Sequence, residues 1–187
     1  MPVPAEKFGI RIAKEYLNFS AAHFLVYGPG AREKLHGHNY YVSMELLGSM
    51  GPTDDLYINF LDIKPVLRKI CESLDHKVLV QAAHRDLVIE ESEAQLRISI
   101  SEKDYFVFPR GDVCLLPIRN TTAELLAEFI LVKTLKVLSD SYANVLLEEA
   151  SCSVEETRGQ AAVCLKQFGG NMTLKAALEC EGTNPRG

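Results

Sequence analysis

The stretch HNYYVSMELLG, residues 38–48, alternates apolar and polar side chains along most of its length. The earlier stretch FGIRIAKEYLNF, residues 8–19, shows a similar alternation. A period of two places every second side chain on the same face of a strand, so both stretches are typical of strands with one buried face. A loop that contains Gly28, Pro29 and Gly30 separates them. Together they predict a long antiparallel pair of strands.

The rest of the chain predicts two helices and several shorter strands. Asp62 is the predicted cap of a helix that ends between Leu74 and His76, with Pro65 early enough for its missing N–H to be tolerated. A second helix is predicted from about Asn120 to Ser139. The remaining predicted strands are LRISI (96–100), YFVF (105–108), VCLLP (113–117) and a final pair over about 145–156 and 161–167. This order predicts an α+β domain with an antiparallel sheet and helices on one face.

The composition favours one globular domain over residues 1–187. With 47% hydrophobic residues the chain can bury a sizeable core, and its net charge of −5 without a long basic run argues against binding to nucleic acid or to a membrane. The N-terminus does not resemble a signal peptide, so a cytoplasmic protein is expected. The five cysteines are scattered without a CxxC pair, which predicts reduced thiols. The tail from about residue 170 is predicted to be flexible.

Three histidines form the clearest candidate site. His36 and His38 are two residues apart, so on a strand both imidazoles project from one side, and Gly37 between them permits a close approach of the backbone. Antiparallel pairing can bring His23 beside them. Three histidines with no fourth protein ligand are typical of a catalytic zinc site. The alternative is that the HxH spacing arises by chance, since a single histidine is more often a surface or satisfied core residue.

Four motifs resemble those of the 6-pyruvoyltetrahydropterin synthase and 6-carboxytetrahydropterin synthase family. They occur in the family's order as FSAAH (19–23), HGHNYYV (36–42), LDIK…LDH (61–76) and TTAE (121–124). The resemblance covers about 8–76 and 120–166, and it marks residues 80–119 as an insertion. It implies the tunnelling fold, in which trimers close their sheets into a barrel and stack to hexamers, with the site at a subunit boundary. It also implies that His23, His36 and His38 bind Zn²⁺.

The resemblance leaves the catalytic residues partly open. Family members usually carry a cysteine a few residues before HGH, activated by an Asp–His pair that Asp75 and His76 match. Here the segment reads GAREKLHGH, and Glu33 lies in the region of the missing cysteine. A family branch with ExxHGH is associated with cutting the dihydroneopterin side chain to 6-hydroxymethyl-7,8-dihydropterin. Alternatively, Glu33 is an ordinary solvated residue, and Asp75 and His76 only cap a helix end.

Acidic residues are expected to recognise the pterin ring. Thr121 and Glu124 fit a capping box, which explains both without a ligand. In the family, however, a Thr-x-Glu region and a late Glu-Thr pair recognise the pterin, which implies contacts from Thr122, Glu124 and Glu156. Glu155 is the rival of Glu156, because neighbours on a strand face opposite ways. The alternative for both acids is an exposed turn.

The sequence therefore predicts a zinc-dependent lyase that acts on 7,8-dihydroneopterin or its triphosphate, in a homo-oligomer. Glu33, Asp75 and His76 are the predicted proton-transfer residues, and the product is predicted to be 6-hydroxymethyl-7,8-dihydropterin. Alternatives are 6-pyruvoyl- or 6-carboxytetrahydropterin synthase activity proper, or a non-catalytic pterin-binding homologue. A further hypothesis is that residues 80–119 reshape the pocket mouth for a different substrate.

Overall fold

The computed structural model describes residues 6–50, 55–169 and 172–181. A six-stranded sheet carries two long helices on one face, and a smaller three-stranded sheet packs beside it. The elements are β1 (Phe8–His23), β2 (Val26–Gly28), β3 (Ala31–Arg32), β4 (His36–Ser49), α1 (Phe60–Leu74), β5 (Lys77–Gln81), β6 (Val88–Glu91), β7 (Gln95–Ser99), β8 (Tyr105–Pro109), β9 (Val113–Leu116), α2 (Ala123–Leu138), β10 (Leu146–Thr157), β11 (Gln160–Gln167) and α3 (Leu174–Glu181). The large sheet has the order β11-β10-β4-β1-β5-β9. The predicted α+β architecture is confirmed.

The predicted antiparallel pair is formed by β1 and β4. It extends further than predicted at one end, where β1 continues to His23 and β4 begins at His36, and these two residues are direct partners. On β1, alternate side chains such as Leu17 and Phe19 are fully buried against the helices. Burial of one face fixes the register, because a slip of one residue would turn every apolar side chain towards solvent.

The large sheet differs from the prediction in one respect, because its last two strands are parallel. β5 pairs in parallel with the end of β1, and β9 pairs in parallel with β5. Parallel neighbours need a long connection. Helix α1 lies in the connection before β5, and the small sheet lies in the connection before β9. Both strands are short, so their sequences carried no alternation that set their direction.

Helix α1 begins earlier than predicted. Asn59, rather than Asp62, is its N-cap, and the Asn59 side chain accepts a hydrogen bond of 2.9 Å from the Leu61 N–H. Asp62 lies in the first turn, where its charge favours the helix dipole. Pro65 therefore lies inside the helix, where its missing N–H removes a bond to the Leu61 carbonyl. The apolar face of α1 is packed into the core, with Ile63, Leu67, Ile70, Cys71 and Leu74 buried.

Helix α2 has a different cap from the predicted capping box. The N-cap is Thr122, whose hydroxyl accepts a hydrogen bond of 3.4 Å from the Leu125 N–H. Thr121 is fully buried, and its hydroxyl donates to the Phe24 carbonyl oxygen at 3.0 Å. The capping-box pairing of Thr121 with Glu124 is therefore wrong by one residue. The buried Thr121 instead ties the start of α2 to the end of β1.

Residues 80–119, called the 80–119 segment below, contain a sheet of their own. Strands β6, β7 and β8 form an antiparallel sheet, and β9 joins the large sheet. The predicted runs 96–100 and 105–108 are thus a hairpin, whereas 113–117 belongs to the main sheet. A second apolar cluster lies between the small sheet and the neighbouring strands of the large sheet. Its buried members are Phe24, Val26, Val80, Leu96, Ile98, Ile100 and Val113.

The described part of the predicted flexible tail contains α3. Leu174 at the start of α3 is buried against the main core, and its N–H donates to the Val145 carbonyl oxygen at 2.9 Å. Residues 170–171 and 182–187 lie outside the described residues. Across the described ranges, every helix is too short or too polar to cross a bilayer.

Candidate functional site

The three predicted histidines converge at the end of the β1–β4 pair. His23 is the direct partner of His36, and Ala21 is the direct partner of His38, so the register places all three imidazoles on one face. One ring nitrogen from each histidine lies within 4.8 Å of the other two. A Cβ at Gly37 would lie 3.1 Å from the Ala21 carbonyl oxygen, so the close strand approach favours glycine there. The predicted convergence of the histidines is confirmed.

The hydrogen bonds of two histidines leave their Nε2 atoms free to bind a metal. His23 Nδ1 lies 2.8 Å from the Thr121 carbonyl oxygen, and His36 Nδ1 lies 2.9 Å from the Lys34 carbonyl oxygen. Because a carbonyl only accepts, both Nδ1 atoms carry the proton. His23 Nε2 is buried without a hydrogen-bond partner among the described residues. Burial lowers the pKa of His23, which favours the neutral ring that a metal requires. The cluster fits a metal ion.

Glu33 lies beside this cluster, which is called the histidine cluster below. Its N–H donates to the Leu25 carbonyl oxygen at 2.8 Å, directly after the β2–β3 hairpin. Its Oε2 lies 3.9 Å from His36 Nδ1 and is buried without a hydrogen-bond partner among the described residues. A carboxylate oxygen buried in this way retains its full capacity to accept a proton or a hydrogen bond. The loop therefore places one carboxylate oxygen of Glu33 beside His36 and out of contact with solvent, although the side chain as a whole is 34% exposed.

Asp75 and His76 contact each other but form a separate feature. The Asp75 carboxylate accepts a hydrogen bond of 2.7 Å from the Ser20 N–H, and its other oxygen lies 2.8 Å from His76 Nδ1. The Ser20 N–H is the main cause that lowers the pKa of Asp75. The His76 side chain is 82% exposed, and its φ of 55° is a left-handed conformation that is uncommon outside glycine. His76 thus presents a largely free imidazole edge.

His76 opens onto a cleft that lies mainly on the far side of β1 and β4 from the histidine rings. Ser20 and Asn39 line this cleft and hydrogen-bond to each other at 2.6 Å. They alternate along their strands with the residues that face the histidine cluster, so their side chains point the other way. Lys77 and Asp112 also line the cleft, and Asp112 comes from the 80–119 segment. His38 of the histidine cluster also lines this cleft, but among the described residues no hydrogen bond or ion pair joins His76 to the cluster.

The predicted pterin-binding residues share a second cleft. Thr122, Glu124 and Glu156 line it together, where the start of α2 approaches the end of β10. Glu155 instead lines a different cleft, and its carboxylate accepts a hydrogen bond of 2.6 Å from the Gly159 N–H. The pairing of β10 with β11 shifts register between Glu155 and Thr157, which places Glu156 at a bulge. A bulge changes the direction in which a side chain points.

Tyr40 is a neighbour of the histidine cluster that the sequence analysis did not single out. It is fully buried, with its ring edge-on to His23 and His38 at centroid distances of 5.9 and 5.5 Å. Its hydroxyl has no hydrogen-bond partner among the described residues. Burial raises its pKa, and the charges of Glu156 and Glu33 raise it further. Tyr40 follows His38 at the same two-residue spacing that separates His36 from His38. This spacing alone predicts that Tyr40 lies on the same strand face as the two histidines.

Comparisons with known proteins agree on the family. Residues 11–167 match the family described as 6-pyruvoyl tetrahydropterin synthase. A protein of Methanocaldococcus jannaschii with the provisional name 6-carboxy-5,6,7,8-tetrahydropterin synthase is 34% identical over 155 residues, which are 81% of this chain and 91% of that protein.

Solved structures of the same family share the fold. The 6-pyruvoyl tetrahydropterin synthase of Plasmodium falciparum has a TM-score of 0.78 and 28% identity, covering 87% of this chain and 99% of that one. The Plasmodium vivax synthase, at 26% identity, has the same TM-score and coverage, and two of its structures are variants in which a catalytic glutamate is replaced by alanine or by cysteine. The chain therefore belongs to the 6-pyruvoyl tetrahydropterin synthase family, with the tunnelling fold and a tetrahydropterin synthase-like activity.

Proposed function

We propose that this protein is a zinc-dependent lyase that cuts the side chain of 7,8-dihydroneopterin or its triphosphate to give 6-hydroxymethyl-7,8-dihydropterin. The observation that carries the proposal is the histidine cluster, in which His23 Nε2 is buried without a hydrogen-bond partner among the described residues and the buried Oε2 of Glu33 lies 3.9 Å from His36 Nδ1. A set of three imidazoles is typical of a catalytic zinc site. His23, His36 and His38 would hold the zinc ion, which would act as a Lewis acid towards the hydroxyl groups of the substrate.

Glu33 is the proposed general base. Its carboxylate takes the proton from the hydroxyl on the second side-chain carbon, and the bond between the first and second carbons breaks. The electron pair of that bond enters the pterin ring, and a two-carbon aldehyde leaves with any triphosphate it carries. A proton returned to the first carbon completes the hydroxymethyl group. The Plasmodium vivax synthase, in which a glutamate is a catalytic residue, supports a glutamate in this role.

Glu156 is the proposed anchor of the pterin ring, with Thr122 and Glu124 beside it. A carboxylate can accept two parallel hydrogen bonds from the amidine-like N–H edge of the ring. The shared cleft of these three residues supports the assignment. The influence of both Glu156 and Glu33 on Tyr40 supports a cleft that adjoins the histidine cluster. A pterin ring anchored at Glu156 would then direct the side chain of the substrate towards Glu33.

His76 is the proposed proton carrier, and Asp75 orients its ring. Because the Ser20 and Asn39 side chains in the cleft beside His76 lie on the strand face opposite the three imidazoles, we infer that a second copy of the chain supplies this pair to each site. That inference agrees with the predicted trimer or hexamer, with the site at a subunit boundary. The edge strands β9 and β11 are the surfaces that such an assembly would cover.

The test is to incubate the purified, zinc-loaded protein with 7,8-dihydroneopterin and, separately, with its triphosphate. Recovery of 6-hydroxymethyl-7,8-dihydropterin is expected from at least one of them. Glu33→Gln should lower kcat by about 10² to 10⁴-fold, because it removes the base, while its zinc content stays that of the parent. Glu102→Gln, an exposed glutamate of the 80–119 segment, is the matched control and should retain full activity.

Other outcomes identify the alternatives. Recovery of 6-pyruvoyl- or 6-carboxytetrahydropterin would replace the proposed cleavage by a synthase activity proper. Tight pterin binding that yields no product, in both the parent protein and Glu33→Gln, would make the chain a non-catalytic pterin-binding homologue. Full turnover by protein stripped of metal with a chelator would refute the zinc dependence. The two substrates tested side by side also decide whether the triphosphate is required.

A further inference from the structure

The loop that carries Glu33 is attached to the 80–119 segment through one arginine. Arg32, the residue before Glu33, donates to the Asp104 carboxylate from Nε at 2.9 and 3.1 Å and from Nη2 at 2.7 Å. Asp104 lies in the turn between β7 and β8, 72 positions away in sequence. A planar guanidinium that faces both carboxylate oxygens forms a directional contact, which fixes orientation as well as distance.

The same guanidinium also holds the backbone at Glu33. Arg32 Nη1 donates to the Glu33 carbonyl oxygen at 2.9 Å, and the Glu33 N–H donates to the Leu25 carbonyl oxygen at 2.8 Å. The Arg32 guanidinium lies 4.3 Å from the centre of the Phe106 ring, which belongs to β8. Both polar groups of the Glu33 peptide backbone are therefore fixed, and one of them is fixed through the small sheet.

A second ion pair in the 80–119 segment also has its arginine over an aromatic ring, with the Arg97 guanidinium 3.5 Å from the centre of the Tyr105 ring, but it differs in geometry and exposure. Arg97 and Glu90 approach at a single distance of 3.6 Å, with side chains 38% and 66% exposed. The Arg32 and Asp104 side chains are 21% and 35% exposed. Exposed pairs contribute little, whereas a partly buried bidentate pair can hold a geometry. The Arg97–Glu90 pair thus offers a matched control within the same small sheet.

We propose that Arg32 and Asp104 are positioning residues that hold the Glu33 carboxylate at the histidine cluster, so that the 80–119 segment acts on the site without contacting substrate there. This inference rests on the proposed role of Glu33 as the base. The expected loss follows from geometry, because a base displaced by about an ångström loses much of its rate advantage. Metal and pterin binding should be little affected, since neither depends on the orientation of the Glu33 side chain.

The test compares Asp104→Asn with Glu90→Gln in the full chain, each also combined with Glu33→Gln. Asp104→Asn keeps the backbone carbonyl of the turn, which accepts from the Ile100 and Ser101 N–H groups, and changes only the carboxylate. We expect kcat to fall about tenfold, with KM and zinc content within about twofold of the parent. In the Glu33→Gln background the same change should have no further effect, because residues that act through one group are not additive. Arg32→Lys should retain part of the activity, since lysine keeps the positive charge but cannot form the paired hydrogen bonds of the planar guanidinium.

Amide hydrogen exchange of peptides from residues 25–35 gives a readout that does not need turnover. Asp104→Asn should accelerate exchange there, and Glu90→Gln should leave it unchanged. Equal loss of kcat in both Glu33 backgrounds, or unchanged exchange in Asp104→Asn, would overturn the positioning role. If the parent protein turns over no pterin, the proposed function fails, and exchange alone then decides whether Arg32 and Asp104 position the loop.

Discussion

The histidine cluster and the Asp75–His76 pair differ in how completely their polar groups are satisfied. In the cluster, His23 Nε2 and Glu33 Oε2 are buried and have no hydrogen-bond partner among the described residues. In the pair, the Asp75 carboxylate accepts from the Ser20 N–H and contacts the ring of its own neighbour, and His76 extends into solvent. Buried polar groups without partners cost stability, so a fold that retains them has a use for them.

The contrast indicates that the two regions contribute in different ways. The cluster is suited to bind a metal ion, since one ring nitrogen of each histidine lies within 4.8 Å of the other two. The pair is a fixed carboxylate with a free imidazole edge, suited to reach a site built elsewhere. This separation favours the proposed site shared between two copies of the chain.

Removal of a cluster histidine should have the largest effect. His23→Ala deletes a proposed zinc ligand and opens a space next to Tyr40, so zinc content should fall to background and kcat/KM should drop at least about a hundredfold. The measurement is metal analysis of dialysed protein together with turnover of the pterin substrate. His84→Ala, a change of the histidine in the 80–119 segment, is the control and should retain both. Zinc retained at full stoichiometry in His23→Ala would place the metal elsewhere.

Mixing two inactive variants should restore activity if the regions act across a subunit boundary. Glu33→Gln lacks the proposed base and His76→Gln lacks the proposed proton carrier, so each alone should be nearly inactive. After joint unfolding and reassembly in equal amounts, about a quarter of the sites should combine an intact Glu33 with an intact His76 from a neighbour. Turnover should therefore recover to about a quarter of the parent value. Mixtures that remain inactive after verified co-assembly would indicate that both residues serve the same chain's site.

The parts of the fold that follow from local patterns were predictable from the sequence. The alternation in β1 and β4 fixed a long buried pair, and the two-residue spacing of His36 and His38 then placed both rings on one face. The convergence of His23 needed only the return of the chain in an antiparallel pair. Such features depend on periodicity, which a single sequence displays directly.

Features that depend on long-range contacts were not predictable. The Arg32–Asp104 pair joins residues 72 positions apart, and neither residue belongs to a recognisable motif. The parallel direction of β5 and β9 depends on crossovers, not on the strand sequences. The cap of α2 was misassigned by one residue because Thr121 and Thr122 are both good caps, and only burial of Thr121 against Phe24 separates them.

A buried hydroxyl near the cluster provides a stability test of the contrast. Tyr40→Phe removes a hydroxyl without a hydrogen-bond partner among the described residues, so the metal-free protein should be stabilised by about 1 kcal/mol. Tyr57→Phe is the control, and its stability should change in the opposite direction. The Tyr57 hydroxyl donates to the Leu146 carbonyl oxygen at 3.3 Å, so its loss should destabilise the protein by about 1 kcal/mol. Denaturant unfolding of both variants gives the comparison. Destabilisation in both would indicate that the Tyr40 hydroxyl is satisfied in solution.

The smallest effect on stability is expected from Asp75, whose carboxylate already has hydrogen-bond partners. The Ser20 N–H lowers the native pKa of Asp75, so the unfolded chain binds the proton more readily, and the charged carboxylate stabilises the fold at neutral pH. That contribution is complete above about pH 5 and is lost as the pH falls through the lowered native pKa. Because the side chain is 37% exposed, solvent screening limits it, and Asp75→Asn should cost only about 0.5 kcal/mol at pH 7. Denaturant unfolding from pH 7 to pH 3 should show the difference from the parent shrinking, whereas Asp140→Asn at an exposed position should show none. A difference that stayed constant down to pH 3 would contradict this, because it would mean that the charge of the Asp75 carboxylate does not contribute to stability.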